Sequence, residues 1–464
     1  MGAVEILVTS LTSSLCLYFI LTLIRGLHKL WWTPIHMKNQ FSSQGIKGPS
    51  YRFFHGSTKE IIYMKKEAMS RPMNLSHDIF STILPHVHSW VDKYGNNYLQ
   101  WFGPKAQLVV TEPEIIKEIM NNRDNAYPKS EIAHYTKKLL GDGLATSEGG
   151  KWAKMRKLAN FAFHAESLKN MIPSMISSVE VMLERWKHHE GREIEVYEEF
   201  RLLTSEVISR TAFGSNYIEG KNIFQMLMKL ALIASRNAFK LRFPGIRGSS
   251  DANASLKISI EDLVDECKTF YVAGQETTST LLAWTIFLLA IHTDWQEKAR
   301  KEVLNLFGQQ NPNPDGITKL KIMGMIINES LRLYPPAIAI TRKVEREVRL
   351  GKLTLPANLL LYIPTLAPHH DPKIWGEDVH LFKPERFSEG IAKATNNNIA
   401  AFFPFGIGPQ TCVGLNFATT EAKITLSMIL QRYAFTVSPA YVHSPFQLLT
   451  IRPQHGVQVM LHSL

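Results

Sequence analysis

The segment from Pro404 to Gly414, PFGIGPQTCVG, sets a cysteine in a loop suited to presenting it. A thiolate that binds a metal must reach it without being shielded by its own backbone. Gly406 and Gly408 permit the tight loop that such an approach needs. Backbone N–H groups after Cys412, and the N-terminus of a helix expected over 413–433, stabilise negative charge on the sulfur. Gly414 is small enough to let a flat macrocycle lie against that helix. A cysteine alone in a loop is usually a small buried hydrophobe. The frame Phe405-Gly406-x-Gly408-Pro409 ahead of Cys412 argues against that reading here.

Three further groups could do chemistry or support it. Glu329 and Arg332 stand three apart on an expected helix and share a face, so they can pair. On a solvated surface such a pair contributes little. With Arg386, from the downstream segment Pro384-Glu385-Arg386-Phe387, one carboxylate would gain two planar guanidinium partners in a rigid structural lock. The run Ala273-Gly274-Gln275-Glu276-Thr277-Thr278 lies inside a long apolar helix. Its small residues allow a local widening that opens a groove. There the acid Glu276 and the hydroxyl of Thr277 could relay protons; alone, the run reads equally as a packing glycine among ordinary threonines. Trp152 and Arg156, one helical turn apart, could both meet carboxylates on one cofactor edge.

The elements that must position these residues are mostly helical. A strand pair is expected over 98–110, turned at Gly103-Pro104, and a helix over 112–121. Helical periodicity then dominates 151–188, 193–213 and 221–240, followed by a weak stretch at 244–256. A long helix is expected from Ile260 to about His292, interrupted at Ala273-Gly274, then helices over 294–307 and 317–333. Short strands are indicated near 346–350 and 358–363. No repeat or low-complexity tract interrupts the pattern.

Composition sets outer bounds. The 464 residues are 45% hydrophobic and 20% charged, enough apolar material for a large core. Lys and Arg exceed Asp and Glu by 11, but the basic residues are dispersed, which argues against nucleic-acid binding. Cys16, Cys267 and Cys412 are the only cysteines, so no disulfide framework is indicated. From Ala3 to Ile24, 22 residues carry one charge, Glu5, and are about long enough to cross a ~30 Å hydrocarbon layer. Arg25, His28 and Lys29 follow, with Trp31 and Trp32, which places the remaining chain on the cytosolic side of the membrane. A cleaved signal peptide is disfavoured, because no basic region precedes the apolar run and no small-residue site ends it. The division expected is a membrane anchor over 1–30 and a catalytic domain over 31–464.

These motifs, in this order along almost the whole chain, resemble the cytochrome P450 superfamily. The segments QGIKGPSYRFFHG, DECKTFYVAGQETTS and LRLYPPAIAITRKV resemble more narrowly the plant clan that includes secologanin synthase. The resemblance implies a mainly α fold with small β-sheets and an N-terminal transmembrane helix. It implies haem b with Cys412 as the axial ligand to iron, as the family's cysteine-ligated haem requires. It implies Glu276 and Thr277 as the oxygen-activating pair, and Glu329, Arg332 and Arg386 as a structural triad. Trp152, Arg156 and Arg342 are implied as haem contacts, with Phe405, Gly406 and Gly414 beside the cofactor. The activity implied is insertion of one oxygen atom of O2 into a small hydrophobic, terpenoid- or hormone-like molecule. Electrons would come from NADPH–cytochrome P450 reductase at the endoplasmic reticulum membrane. Substrate contacts are expected from the loop 127–146, the helix before Thr277, residues 337–341 and the turn at Ser444-Pro445-Phe446.

Two departures from the family's pattern stand out. Gln410 occupies a position usually held by an arginine that contacts a haem propionate, and keeps a hydrogen-bonding group without the charge. The stretch from Trp152 to Thr277 is shorter than the family normally has, with an abrupt junction around 247–251, where helices that roof the substrate pocket would lie. Two other readings follow: a haem lyase or isomerase not using O2, which Glu276-Thr277 argues against, and a haem-binding or inactive shortened form.

Overall fold

The computed structural model describes residues 2–464 except 72, 123, 132–136, 138–139 and 215–259. The helix expected over 221–240 and the junction near Gly248 lie outside the described residues. Helix α1, Gly2–Leu27, carries the N-terminal apolar run. The helical segment Val4–Ser43 has a mean hydropathy of 2.0 in its most apolar window, and none of that window is buried against the protein. Apolar side chains left exposed along a whole helix call for a nonaqueous surrounding, so α1 fits a membrane anchor. Its Thr9 and Thr12 hydroxyls are satisfied by carbonyls one turn back, at 2.7 and 2.9 Å, as a helix in lipid requires.

The body is helical with small sheets. β1 (Asn97–Phe102) and β2 (Lys105–Val110) form the expected hairpin. Next come α2 (Gly149–Ala162), α3 (Ala165–Trp186), the short strand β3 (Glu193–Glu195) and α4 (Val196–Phe213). The single helix expected over 151–188 is thus two helices. His164 breaks it, in an extended conformation that caps α3. α5 (Ile260–Ile291) is continuous through Ala273-Gly274, so the expected interruption is absent. A Cβ on Gly274 would come within 2.9 Å of Ile208 Cδ1 in α4, so this glycine serves close packing of two helices.

α6 (Lys321–Leu333) is preceded by a separate turn of helix, Pro314–Lys319, where one helix over 317–333 is expected. Strand β4 (Ala339–Lys343), which the periodicity does not indicate, pairs antiparallel with β5 (Leu360–Pro364). β5 in turn pairs parallel with β2, giving a four-stranded sheet ordered β1-β2-β5-β4. Helix α7 (Leu415–Leu430) follows the cysteine loop. β6 (Tyr433–Val437) and β7 (Gln458–Ser463) join β3 in a second sheet ordered β3-β7-β6. One large core gathers α3 to α7, with Trp284 of α5 stacked on Tyr334 at 4.3 Å.

Inside that core lies a polar lock. Glu329 and Arg332 of α6 are fully buried and joined by two bonds of 2.8 Å, a bidentate pair. Arg386 approaches Glu329 at 3.6 Å, but its direct bonds go to the Trp375 and Asp378 carbonyls, both at 2.7 Å, and to the Asp378 carboxylate at 2.6 Å. Hydrogen bonds from Lys383 and Arg386 lower the pKa of the Asp378 carboxyl to about 2. Arg332 also donates to the His369 carbonyl at 3.1 Å, and the His369 ring accepts from the Phe403 N–H at 3.1 Å. Burial and Arg332 press the His369 pKa down to about 3, so the ring is neutral and can accept. Phe403 begins the loop that ends at Cys412.

A second buried acid has no such partners. Glu421 of α7 is 1% exposed, and among the described residues neither carboxyl oxygen has a hydrogen-bond partner. Burial raises its pKa well above the ordinary value, so it is held as a neutral acid. A carboxyl with a raised folded pKa contributes stability that is complete below its unfolded pKa, near 4. That contribution is lost as pH rises through the folded pKa. Glu421→Gln removes this loss, so the variant gains in thermal midpoint over the parent between about pH 5 and about pH 8. A gap that does not change with pH would contradict burial as the neutral acid.

Candidate active site

A cavity of about 470 Å³ lies between α5, β4 and the cysteine loop. That volume falls within the range of small-molecule and cofactor sites, roughly 300–1,000 Å³. Cys412 forms part of one wall, and Gly274 and Thr277 of α5 line the cavity as well. The loop carrying the cysteine is held by its own backbone: Cys412 N–H donates to the Phe405 carbonyl at 2.8 Å, and Gly406 N–H to the Phe403 carbonyl at 2.9 Å. Gly406 and Gly408 both take left-handed conformations, φ +71° and +76°. At Gly408 a Cβ would also sit 2.5 Å from the Met120 carbonyl oxygen, so the loop packs onto the helix Pro113–Asn121 only with glycine there.

Cys412 is exposed, and it lines the cavity. Burial raises the thiol pKa, while the Gly414 N–H and Arg156 draw it part of the way back. Gly414 precedes α7, and a Cβ placed on it would reach only 3.9 Å from the sulfur, an ordinary contact.

The rim is cationic. Arg156 of α2 donates to the Thr411 carbonyl, and Arg342 of β4, 7% exposed, donates to the Thr341 carbonyl at 2.9 Å. Among the described residues neither guanidinium is in an ion pair, although Glu148 lies close enough to act on Arg342. Lys129 joins them. Its ammonium bonds the Leu144 and Ser147 carbonyls at 3.0 Å and sits 5.8 Å from the Trp152 ring, and burial lowers its pKa to about 8. Three cations facing one cavity edge suit a ligand that carries carboxylates there. The side chain of Gln410 also lines the cavity, its Oε1 buried without a partner.

Trp152, Arg156, Arg342, Phe405, Gly406, Cys412, Gly414 and Thr277 therefore meet at one cavity. Glu276 does not. It is 1% exposed and turned away from the cavity, its Oε1 accepting from the Thr450 hydroxyl at 2.9 Å. Neighbouring helix positions do not share a face, so the acid and the hydroxyl of this pair look in different directions. The Thr277 hydroxyl donates to the Ala273 carbonyl at 2.6 Å. Ser444-Pro445-Phe446 is absent from the cavity lining, whereas residues 337 and 339–341 contribute to it. Lys129 lies in the expected loop 127–146, whereas Met120 lines the cavity from outside every segment expected to contribute.

The cytochrome P450 sequence profile matches residues 74–244 and 246–459. The chain belongs to the cytochrome P450 family. It is 57% identical to cytochrome P450 CYP749A22 of Panax ginseng, over all of this chain and 99% of that one. It is 38% identical to the 11-oxo-beta-amyrin 30-oxidase of Glycyrrhiza uralensis, over all of this chain and 99% of the relative. Cytochrome P450 734A1 of Arabidopsis thaliana is 38% identical over 96% of this chain and 95% of its own length. The P450 fold binds haem b through a cysteine thiolate, and its members are oxidoreductases of the monooxygenase type. The alignment with the ginseng P450 runs to 519 positions against 464 residues here, so about 55 of its positions (519 − 464) face no residue of this chain. The profile match breaks at Gly245.

Proposed function

We propose that this P450 is a haem-thiolate monooxygenase of a terpenoid-like molecule, with Cys412 as the iron ligand. The reading is carried by one observation: a single cavity has the Cys412 sulfur, a cationic edge of Arg156 and Arg342 that forms no ion pair among the described residues, and the Thr277 hydroxyl in its lining. Arg156 and Arg342 would hold the two haem carboxylates, while Trp152 supports the same edge. Phe405, Gly406 and Gly414 leave room for a flat ring beside the sulfur. Once bound, haem supplies activation of O2, with one oxygen atom entering the substrate and the other leaving as water.

The residues of the chain then bind, orient and deliver protons. Leu144, Phe163, Ile208, Phe270, Ala337 and Ile340 give the cavity an apolar lining that suits a hydrophobic molecule and excludes water. Thr277 Oγ1 holds a proton at the cavity face and must turn from the Ala273 carbonyl to donate into it. Glu276 acts from behind the helix, by charge and through the Thr450 hydroxyl, without touching the reacting atoms. The oxidase of 11-oxo-beta-amyrin among the relatives supports a terpenoid substrate. The net charge of +11 supports an acidic reductase partner, NADPH–cytochrome P450 reductase. The apolar α1 supports residence in the endoplasmic reticulum membrane, with residues 31–464 cytosolic.

A second reading is favoured by the break at Gly245 and the roughly 55 positions without a counterpart. A segment missing around 247–251 would leave the haem half of the site intact and the substrate roof incomplete. The chain would then bind haem without turnover. The two readings separate in one assay: the haem-loaded full chain with added reductase, NADPH, O2 and a panel of triterpenoids. A product heavier by one oxygen atom, dependent on all three additions, is expected. Haem uptake without any product across the panel would favour the second reading.

Cofactor retention tests the cationic edge. Gln410→Arg adds a third guanidinium beside two others, a cost without haem and a gain with it. Haem transfer to an apo-globin acceptor should slow roughly tenfold in this variant and quicken by a similar factor in Arg156→Ala, as for one charge-assisted hydrogen bond. Equal transfer rates for all three proteins would remove these residues from the cofactor's edge.

A further inference from the structure

A cluster of potential metal ligands lies away from the haem cavity, where the N-terminal layer meets the segment that follows α6. Asp78 precedes the short helix Phe80–Ile83, and His370 and His380 flank the segment that carries Trp375 and Asp378. One donor atom from each of the three side chains lies within 4.8 Å of the other two. His380 Nδ1 stands 3.9 Å from Asp78 Oδ1, and the two imidazole rings are 5.6 Å apart. None of these three side chains lines the haem cavity.

Each ligand is prepared in the way a metal requires. His370 is 4% exposed, and its Nε2–H donates to the Leu333 carbonyl at 3.1 Å. This fixes the tautomer and leaves the lone pair on Nδ1, which is buried and has no hydrogen-bond partner. An imidazole whose other nitrogen donates to a backbone carbonyl is the usual arrangement of a metal-bound histidine. His380 Nδ1 is likewise buried without a hydrogen-bond partner, at a distance from Asp78 too long for a hydrogen bond.

The surrounding charges permit a cation. Arg332 acts on both histidines, but its charge is matched by Glu329 through two 2.8 Å bonds. His88 faces His380 and is itself another imidazole. Asp78 is the one carboxylate of the cluster among the described residues, and the side chains of Asp78 and His380 are 39% and 37% exposed, which gives a route from solvent. Tetrahedral ligands at about 2.0–2.2 Å from a zinc ion lie some 3.3–3.5 Å from one another. The Asp78–His380 pair, 3.9 Å apart, needs a contraction of about half an ångström, and donor atoms up to 4.8 Å apart need up to about 1.5 Å, taken up by the two half-exposed side chains.

We propose that Asp78, His370 and His380 form a zinc site, with water as the fourth ligand. Two imidazole nitrogens with one carboxylate oxygen suit a borderline divalent ion. The ion would bridge residues far apart in sequence and brace the chain segment on which Arg332 and Arg386 both rest. It is independent of what the haem cavity does.

The test uses the full chain as purified, freed of metal by a chelator and then equilibrated with zinc sulfate, the metal bound being measured by elemental analysis. His380→Gln and Asp78→Asn are the informative variants, since both positions are half-exposed; circular dichroism reports whether each has kept its fold. The parent should hold one zinc ion more per chain than either variant, and zinc should raise its thermal midpoint but not theirs. Any zinc held at Cys412 is common to all three and subtracts out. Equal zinc binding by the parent and both variants, or no binding by any, overturns the proposal.

Discussion

The buried pairing of Glu329 with Arg332 is the constraint on which the rest of the site depends. Both groups are fully excluded from water, and the desolvation cost of such a pair can exceed its Coulombic gain. What offsets that cost is saturation. Glu329 also accepts from the Lys383 N–H at 3.0 Å, and Arg332 spends its remaining donors on the His369 and Leu381 carbonyls. The lock holds chain as well as charge. Through His369 it reaches Phe403, and from Phe403 two backbone bonds lead to Cys412. The Cys412 sulfur proposed as the iron ligand is therefore positioned from the centre of the core.

The same logic divides the cavity. On the cysteine side the loop is held by backbone hydrogen bonds, by glycine conformations and by the side chains of Arg156 and His369. On the α5 side the contacts are side-chain packing and one rotatable hydroxyl, Thr277. That is the division expected of a site whose metal ligand must stay put while a substrate and protons come and go.

Much of this was legible in the sequence because the relevant signals are local. The cysteine loop declares itself through its glycines, the Trp152–Arg156 pair through one helical turn, and α1 through an unbroken apolar run. The triad members were legible as a set, but not their unequal geometry. Arg386 bonds mainly to Asp378, and no spacing rule links a residue in a loop to a carboxylate eight positions earlier. Lys129 lies in the loop 127–146 from which contacts are expected, but the bonds of its ammonium to the Leu144 and Ser147 carbonyls follow from the fold of that stretch, which no spacing rule gives. Glu276 illustrates the opposite failure. Adjacent placement suggested a joint role with Thr277, yet the helix turns the two side chains to different surroundings. The break expected at Gly274 is absent because tertiary packing against Ile208 uses the missing Cβ. The extra strand Ala339–Lys343 exists through pairing with Leu360–Pro364, a contact that periodicity alone does not register.

Ligation of haem iron by Cys412 is most directly tested by the difference spectrum of the reduced, carbon monoxide-bound protein, recorded for the full chain and for Cys412→Ala. Thiolate ligation gives the parent a Soret band at the position characteristic of sulfur-bound haem, and the variant loses it. A band that survives the substitution, or a parent that takes up no haem, would contradict the site described.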